Sequence, residues 1–353
     1  MNHFFSVARG GAAAPFVLQM ISIIIENKFF PPIHHWVFRY ATDPTNSWRS
    51  LERRVLDKIG PILRKLDKYV FAPDMGTHTG HVDYMSGLAP DNVACLSAEN
   101  DGSGDPSRIT ARGVYEGMLE SVKHQLGKEN LDGLTILIQG TGKVGGYLID
   151  YITRENPQAR LILTDEVAQR AREKVDSLTT GGISADYAPS KESYDQSFDV
   201  FSPNAVGQVL NPLTVERMLS ANRGKKLVIV GGANNQIDDR KENTRKAVEA
   251  LFQDNGVLYA PDFVVNLGGI LNLIYEFPSV MQNFGGKYDG KVPLERVKGV
   301  RQLLNQIFEI SEQRRGFSTQ TLAERLAEEH IARYAILSGH DARGLLQRDY
   351  IHS

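Results

Sequence analysis

Short apolar runs alternate with longer segments of helical spacing along the middle of the chain. Apolar runs of this length predict buried strands, and their alternation with helices predicts a parallel sheet with helical crossovers. The predicted strands cover residues 134–139, 160–164, 198–201, 227–231 and 257–259.

Apolar residues at three- to four-residue spacing predict helices on both sides of this region. The stripe on the N-terminal side, within about Ser47 to Leu66, consists of Leu51, Val55, Ile59, Ile62 and Leu66. The stripe on the C-terminal side consists of Val297, Val300, Leu303, Leu304 and Ile307. The patterns divide the chain into three predicted regions, residues 1–122, 123–275 and 276–353.

A glycine-rich turn lies between the first predicted strand and the helical pattern that follows it. Gly140 suits a tight turn, Gly142 allows the backbone to approach a pyrophosphate, and Gly145 permits close packing of helix on strand. The N–H groups at the start of the helix favour an anion. This context predicts a dinucleotide site with the contact residues Gly140, Gly142, Lys143, Val144 and Gly145.

Asp165 ends the second predicted strand, 25 residues after Gly140. A carboxylate near this spacing hydrogen-bonds the adenosine ribose of a dinucleotide. Glu166 follows directly and disfavours a 2′-phosphate, so NAD is the predicted cofactor rather than NADP.

Composition narrows the class of protein further. The chain has 353 residues, enough for two domains, with 41% hydrophobic and 23% charged residues. A formal charge of −2 gives no reason to expect nucleic-acid or anionic-membrane binding, and no metal site is expected. The single cysteine, Cys95, fits a reducing compartment, so a cytoplasmic location is expected. The apolar segment 12–25 is short for a membrane span and is interpreted as a core segment.

Several further motifs occur in an order that is specific to one family. Residues 69–77, 102–115, 199–203, 231–236 and 259–269 carry them. The chain resembles the amino-acid dehydrogenases of the glutamate, leucine, phenylalanine and valine family over roughly residues 50 to 335, especially the shorter leucine and phenylalanine branch.

The resemblance implies an α/β fold of two domains. Residues 123–275 would form a Rossmann-type, doubly wound NAD-binding domain, and residues 1–122 an N-terminal α/β domain for substrate binding and oligomerisation. The C-terminal helical segment, residues 276–353, would pack back between the domains. The same resemblance implies a small-molecule substrate and a homo-oligomer, with a dimer favoured.

The resemblance also assigns roles to individual residues. Asp74 would be the acid/base that acts on the substrate amine, and Asn266 would lie beside the substrate amino group. Thr110 would contact the nicotinamide amide, and Asn234 the nicotinamide ribose. Asp165 would hold the adenosine ribose.

The N-terminal region departs from the family pattern. Relatives carry one lysine that binds the substrate carboxylate and another, in a Gly-Gly-Gly-Lys motif, that activates water. Alignment from Asp43-Pro44 puts these positions near Ile25 and Val37, neither of which is basic. The candidate replacements are Lys28, His34, His35 and Arg39.

Three interpretations therefore stay open. The chain is an NAD-dependent oxidoreductase that acts on a C–N bond with a rebuilt substrate site, or an ordinary apolar amino-acid dehydrogenase with relocated basic residues. Alternatively, it is a catalytically inactive NAD-binding paralogue with a regulatory or partner role. The presence of Asp74, Thr110 and Asn266 together favours the first, since NAD binding alone needs no carboxylate at a hydride-transfer site.

Overall fold

The computed structural model describes residues 48–65, 70–74, 77–238, 243–277, 281, 286–314 and 316–337. The apolar segment 12–25 lies outside the described residues. So do the positions where the family lysines were sought and their candidate replacements, Lys28, His34, His35 and Arg39.

The described residues form one six-stranded sheet in which every pairing is parallel. The strands are β1 Thr135–Gln139, β2 Arg160–Thr164, β3 Ala185–Tyr187, β4 Val200–Pro203, β5 Val228–Ile229 and β6 Leu258–Tyr259. The spatial order is β3-β2-β1-β4-β5-β6, so the chain runs outward from β1 and then returns to its other side. This is the order of doubly wound dinucleotide-binding sheets, and the predicted α/β class is confirmed.

Helices connect the strands and flank the sheet. They are α1 Trp48–Leu63, α2 Thr79–Leu88, α3 Ser107–Leu126, α4 Lys143–Glu155, α5 Ala168–Thr180, α6 Pro212–Ala221, α7 Thr244–Asp254, α8 Asp262–Val265, α9 Gly268–Ile274, α10 Lys291–Arg296, α11 Val300–Gln313 and α12 Thr319–Leu337. Short 3-10 helices span Pro90–Asn92, Ala98–Asn100, Ser190–Asp195 and Val297–Gly299. Within the described ranges, no helix combines the length and apolar character that a membrane crossing needs.

Burial in the core explains why the sequences of the central strands are continuous apolar runs. Strands β1 and β4 lie in the middle of the sheet and pair in register from Ile136↔Val200 onward. Leu137 and Phe201 are fully buried within a cluster that also receives side chains from the helices, such as Val248. A strand covered on both faces has no polar side, so alternation disappears from its sequence.

The chain separates into two compact units. The first unit contains the described residues up to Ile109 together with Gly269–Arg296, and the second contains Thr110–Gly268 and the described residues from Val297 onward. These boundaries differ from those of the predicted domains 1–122, 123–275 and 276–353.

Close packing explains why α3 belongs to the second unit, which contains the sheet, and not to the first unit with the N-terminal residues. A Cβ atom at Gly113 would lie 2.4 Å from the carbonyl oxygen of Val265, so the helix backbone contacts the segment after β6 directly. Tyr115, also on α3, accepts a hydrogen bond from Asn156 at the end of α4. Helix α3 is therefore part of the second unit for nearly all of its length.

The first unit differs from the sequence expectation in the face that α1 buries. Leu56 and Leu63 are buried against Met85 and Ala89 of the α2 segment. Ile62, which the predicted stripe placed inside, is 56% exposed. Ile59 of the predicted stripe is partly buried against the same cluster, so the buried face of α1 combines this residue with Leu56 and Leu63, which the stripe did not include.

Candidate functional site

The glycine-rich turn follows β1 at the point where the strand order reverses. Gly140 has a φ of 94°, and a Cβ atom there would lie 2.8 Å from the Cβ of Ala205. At Gly145 a Cβ atom would lie 1.9 Å from the carbonyl oxygen of Gly140. The turn therefore requires glycine at both positions. Gly140 is required by its positive φ and by the lack of space for a side chain, and Gly145 by the lack of space alone.

Gly142 differs from its neighbours because a Cβ atom there would meet nothing within 4 Å. Gly142 is the N-cap of α4 and offers no capping side chain, so the first N–H groups of the helix face an open approach. Lys143 and Val144 form the first turn of the same helix. The arrangement fits a pyrophosphate, which needs backbone donors and room for close approach.

Asp165 lies directly after β2 and contacts the glycine-rich turn. Its Oδ2 accepts hydrogen bonds from the Thr141 backbone N–H at 2.8 Å and from the Thr141 hydroxyl at 3.0 Å. Its Oδ1 accepts from the Val167 N–H at 2.9 Å. The residue predicted to bind a ribose thus also shapes the turn predicted to bind phosphates.

Two predicted contact residues, Asn234 and Asn266, are hydrogen-bonded to each other. The Asn266 side-chain NH₂ donates to the side-chain oxygen of Asn234 and also to the carbonyl of Gly232, the latter at 3.3 Å. Asn234 is exposed, whereas Asn266 is buried at the end of α8. The pair joins the loop after β5 to the segment after β6.

Thr110 lies near the start of α3, on the helix face that packs against these two segments. It precedes Gly113 by three residues and Val114 by four, so all three share one face. Gly113 contacts Val265, and a Cβ atom at Gly232 would lie 3.3 Å from Val114. The fold therefore brings Thr110 to the same side of the second unit as the Asn234–Asn266 pair.

Asp74 is exposed and lies in a turn of the first unit. Its backbone N–H donates to the Thr77 hydroxyl at 2.7 Å, and its carbonyl accepts from the Thr77 N–H at 3.0 Å. The turn thus presents the carboxylate at the surface of this unit.

The histidines that follow Asp74 have a structural role at the start of α2. The rings of His78 and His81 stack with centroids 3.8 Å apart. The Nδ1 atom of His81 accepts from the His78 backbone N–H at 3.2 Å, which satisfies a donor at the helix N-terminus.

A buried polar network in the first unit was not predicted from the sequence. Glu276 accepts from the backbone N–H groups of Cys95 at 2.6 Å and Leu96 at 3.1 Å, and from the Ser103 hydroxyl. Asn272 donates to the same hydroxyl at 2.9 Å. The sequence of residues 101–106 favours a flexible link, but the hydrogen bonds of Ser103 anchor this segment.

Burial makes Cys95 an unreactive thiol. Desolvation raises the pKa of Cys95 to about 12, and the negative charge of Glu276 acts in the same direction. Since the thiolate is the reactive form, this cysteine is not a nucleophile at neutral pH.

The chain is similar in sequence to several amino-acid dehydrogenases. No protein-family model matches it. Over 268 residues it is 34% identical to leucine dehydrogenase of Bacillus cereus, covering 75% of this chain and 64% of that protein. It is 29% identical over 251 residues to L-tryptophan dehydrogenase of Nostoc punctiforme, covering 69% of this chain and 64% of that protein. The chain therefore spans somewhat less than two thirds of the length of these relatives.

Solved structures agree with the fold. The crystal structure of L-tryptophan dehydrogenase from Nostoc punctiforme matches with a TM-score of 0.59 and 26% identity, covering 80% of this chain and 73% of that chain. A hetero-hexameric glutamate dehydrogenase from Thermus thermophilus matches with a TM-score of 0.64, covering 84% of this chain and 71% of that chain. At 19% identity, this second match supports the fold alone.

Proposed function

Because the chain belongs to the amino-acid dehydrogenase superfamily, in its leucine dehydrogenase branch, we propose that it is a nicotinamide-dependent oxidoreductase that acts on a C–N bond. The substrate is an amino acid, an amine or an imine, and the substrate site is rebuilt relative to ordinary members. The observation that carries the proposal is the joint placement of the glycine-rich turn, Asp165 and the Asn234–Asn266 pair in the second unit.

The proposed cofactor is NAD. When bound, NAD accepts or supplies a hydride at its nicotinamide ring. Gly140, Gly142, Lys143, Val144 and Gly145 would hold the pyrophosphate, for which the open space at Gly142 leaves room. The Oδ1 atom of Asp165 accepts one hydrogen bond, from the Val167 N–H, so its second acceptor position suits a ribose hydroxyl.

The protein groups would orient the reacting parts and manage the proton. Thr110 and Asn234 would fix the nicotinamide amide and its ribose, and Asn266 would lie beside the substrate nitrogen. Asp74 would take up or return the proton at that nitrogen, since a carboxylate within hydrogen-bond reach of an amine acts as an acid/base. Fixed orientation of this kind supplies much of the rate acceleration in transfer reactions.

The rebuilt substrate site is proposed from the sequence of the N-terminal region. A substrate carboxylate needs a fixed cation, and a hydrogen bond to such a charged group is worth about 1.5–3 kcal/mol. Neither family lysine has a counterpart at the aligned position. We therefore expect slow deamination of ordinary amino acids and a preference for a substrate without that carboxylate contact.

An ordinary apolar amino-acid dehydrogenase is the second candidate, and its support is the 34% identity with leucine dehydrogenase. In that case Lys28, Arg39, His34 or His35 would take over the roles of the two lysines. A homo-oligomer, with a dimer favoured, and a cytoplasmic location belong to the proposal in either case. Light scattering on the purified chain tests the oligomeric state.

A substrate panel separates these functions. Apolar amino acids, their keto acids with ammonia, simple amines and cyclic imines would each be mixed with NAD or NADH, and nicotinamide absorbance followed. Turnover of an amine or imine with weak leucine and phenylalanine activity supports the rebuilt site. Leucine or phenylalanine turnover at the rate of an ordinary dehydrogenase contradicts it and favours the second candidate. NADH binding without turnover on any substrate would point to the inactive paralogue.

Asp74→Asn tests the proposed acid/base. We expect turnover to fall by at least about a hundredfold, the lower range for general acid–base catalysis, while NADH affinity stays unchanged. Asp91→Asn is the matched control, because Asp91 is another exposed carboxylate of the first unit. Equal turnover in Asp74→Asn and the wild type would reject the role of Asp74.

A further inference from the structure

The Asn234–Asn266 pair spans two separate loops whose relative position the sheet alone does not fix. Asn234 follows β5 and Asn266 follows β6. These neighbouring strands, of which β6 is the edge of the sheet, pair through Val228↔Leu258 and Ile229↔Tyr259. Backbone hydrogen bonds, such as that from the Ala233 N–H to the Pro203 carbonyl at 3.0 Å, fix the first loop to the β4 side of the sheet. The contacts that join it to the loop after β6 involve side chains.

Asp262 contacts both loops, the first through its buried carboxylate and the second also through its backbone carbonyl. Its Oδ2 accepts from the backbone N–H of Gln236 at 3.0 Å, two residues beyond Asn234. Its Oδ1 accepts from the Phe263 N–H at 2.7 Å, and its carbonyl accepts from the Asn266 N–H at 2.9 Å. Asp262 is 6% exposed.

The side chain of Gln236 stabilises the loop after β5 through two hydrogen bonds within that loop. Its NH₂ donates to the carbonyl of Gly231 at 2.7 Å and to that of Ala233 at 3.0 Å. The loop from Gly231 to Gln236 is thereby closed on itself, and the contact between Gln236 and Asp262 sets its position against α8.

The charge on Asp262 depends on backbone donors rather than on a cation. Burial raises the pKa of Asp262 to about 6, while the N–H groups of Gln236 and Phe263 oppose that rise. The groups that face it are the Tyr259 hydroxyl on β6 and Glu324 on α12, and Arg245 on α7 pairs with Glu324 at 2.8 Å. Within the part of the chain that the structure describes, Arg245 pairs with Glu249 and Glu324, and Asp262 forms no ion pair.

We propose that Asp262 is a positioning residue, whose ionised carboxylate holds Asn234 and Asn266 in the arrangement that binds the nicotinamide half of the cofactor. The proposal rests on the proposed function, because it takes these two asparagines as contacts of the bound cofactor and substrate. Asp262 itself touches neither of them through its carboxylate.

A dependence on pH follows from this arrangement. Protonation of Asp262 turns an acceptor oxygen into an O–H group that faces N–H donors, so at least one of its hydrogen bonds is lost. NADH affinity should therefore fall as the pH drops through about 6. By linkage, binding of NADH near that pH should release a proton from the wild-type protein.

Calorimetric titration with NADH in buffers of different ionisation enthalpy measures this proton release. The full chain would be titrated across the pKa of Asp262, as the wild type and as Asp262→Asn. We expect proton release by the wild type that is greatest near pH 6 and absent in Asp262→Asn. The variant should bind NADH roughly tenfold more weakly at neutral pH, the factor expected for one hydrogen bond to a charged group.

Asp199→Asn provides the matched control. Asp199 also accepts a backbone hydrogen bond, from Thr135 at 2.9 Å, but it lies where β1 and β4 begin, away from the glycine-rich turn. This variant should keep both the wild-type affinity and the proton release.

The outcomes separate the two proposals. If the wild type binds NADH with no proton release near pH 6, or if Asp262→Asn keeps the wild-type affinity and pH profile, the positioning role is overturned. If the wild type does not bind NADH at any pH, the proposed function fails instead. If Asp262→Asn does not fold by circular dichroism, the proton release of the wild type decides alone.

Discussion

Gly145 and Gly146 are neighbours on α4, but only one of them is required by packing. A Cβ atom at Gly145 would overlap the carbonyl oxygen of Gly140, whereas a Cβ atom at Gly146 would lie 3.8 Å from the nearest atom, the Thr141 oxygen. The spacing of the motif identified Gly145 as the packing glycine, and the geometry agrees with that prediction.

We expect Gly145→Ala to lower the free energy of unfolding by about 1–3 kcal/mol and to weaken NADH binding, because the turn and helix must move apart. Gly146→Ala should be neutral or stabilising by up to about 1 kcal/mol, since alanine favours a helix over glycine. Urea unfolding of both variants makes the comparison. Similar losses in the two would contradict the role given to the Gly140–Gly145 contact.

Residues that act through contacts with the backbone could not be predicted from the sequence. Asp165 was predicted because its chemistry fits a ribose at a known spacing from the glycines. Asp262 and Glu276 were given no role, since each binds N–H groups from a distant segment. Every residue except proline has a backbone N–H, so such a contact cannot be predicted from residue types. The exposure and local turn of Asp74 likewise came only from the structure.

Among the elements, α3 shows how a helix can be fixed by glycine far from any turn. Gly113 and Gly117 face Val265, where Cβ atoms would lie 2.4 Å and 2.5 Å from its oxygen and its side chain. This close approach sets the distance between Thr110 on the helix and Asn266 on the adjoining segment.

Gly113→Ala should push α3 away from Val265, because a carbonyl oxygen of the backbone cannot yield as a side chain can. We expect a loss of about 1–3 kcal/mol in stability together with weaker NADH binding. Gly87→Ala on α2 is the control, since a Cβ atom there would meet nothing within 4 Å. Thermal unfolding and NADH fluorescence titration would measure the two effects. If Gly113→Ala lowers the stability but leaves the NADH affinity unchanged, α3 does not position the cofactor site.

The elements that the sequence missed have a common physical cause. Strand β3 has only three residues, Ala185–Tyr187, and lies at the sheet edge, so it carries no extended apolar run. Helix α1 was predicted, but the burial of Leu56 and Leu63 and the exposure of Ile62 were not, because alternative helical stripes differ only in which partner they contact. Strand existence depends on local pattern, whereas the choice of face depends on tertiary packing.

For the whole molecule, the proposed contacts divide between the two compact units. The turn residues, Asp165, Thr110, Asn234 and Asn266 belong to the second unit, and Asp74 belongs to the first. The doubly wound sheet was predictable from the glycine motif and the alternating runs. The unit boundaries were not, because they depend on where α3 and residues 269–296 pack.

NADH should therefore protect the second unit from hydrogen exchange, most strongly at residues 140–146, 165–167 and 231–236. At a free concentration one hundred times the dissociation constant, the ligand stabilises the state that binds it by about 2.7 kcal/mol. Mass spectrometry of peptic fragments would locate the effect. Protection confined to the first unit would contradict the placement of the cofactor site.

The proposed ribose contact of Asp165 and its observed contact with Thr141 together have a consequence for any change of cofactor. Switching such an enzyme toward NADP begins with the removal of the acidic residue that meets the ribose, so that a 2′-phosphate can enter. Here the same carboxylate accepts two hydrogen bonds from Thr141 and so supports the turn that we propose to bind the pyrophosphate. The proposed selectivity for the ribose and the shape of the proposed phosphate site thus depend on one carboxylate, and a redesign of the first requires a new hydrogen-bond acceptor for Thr141.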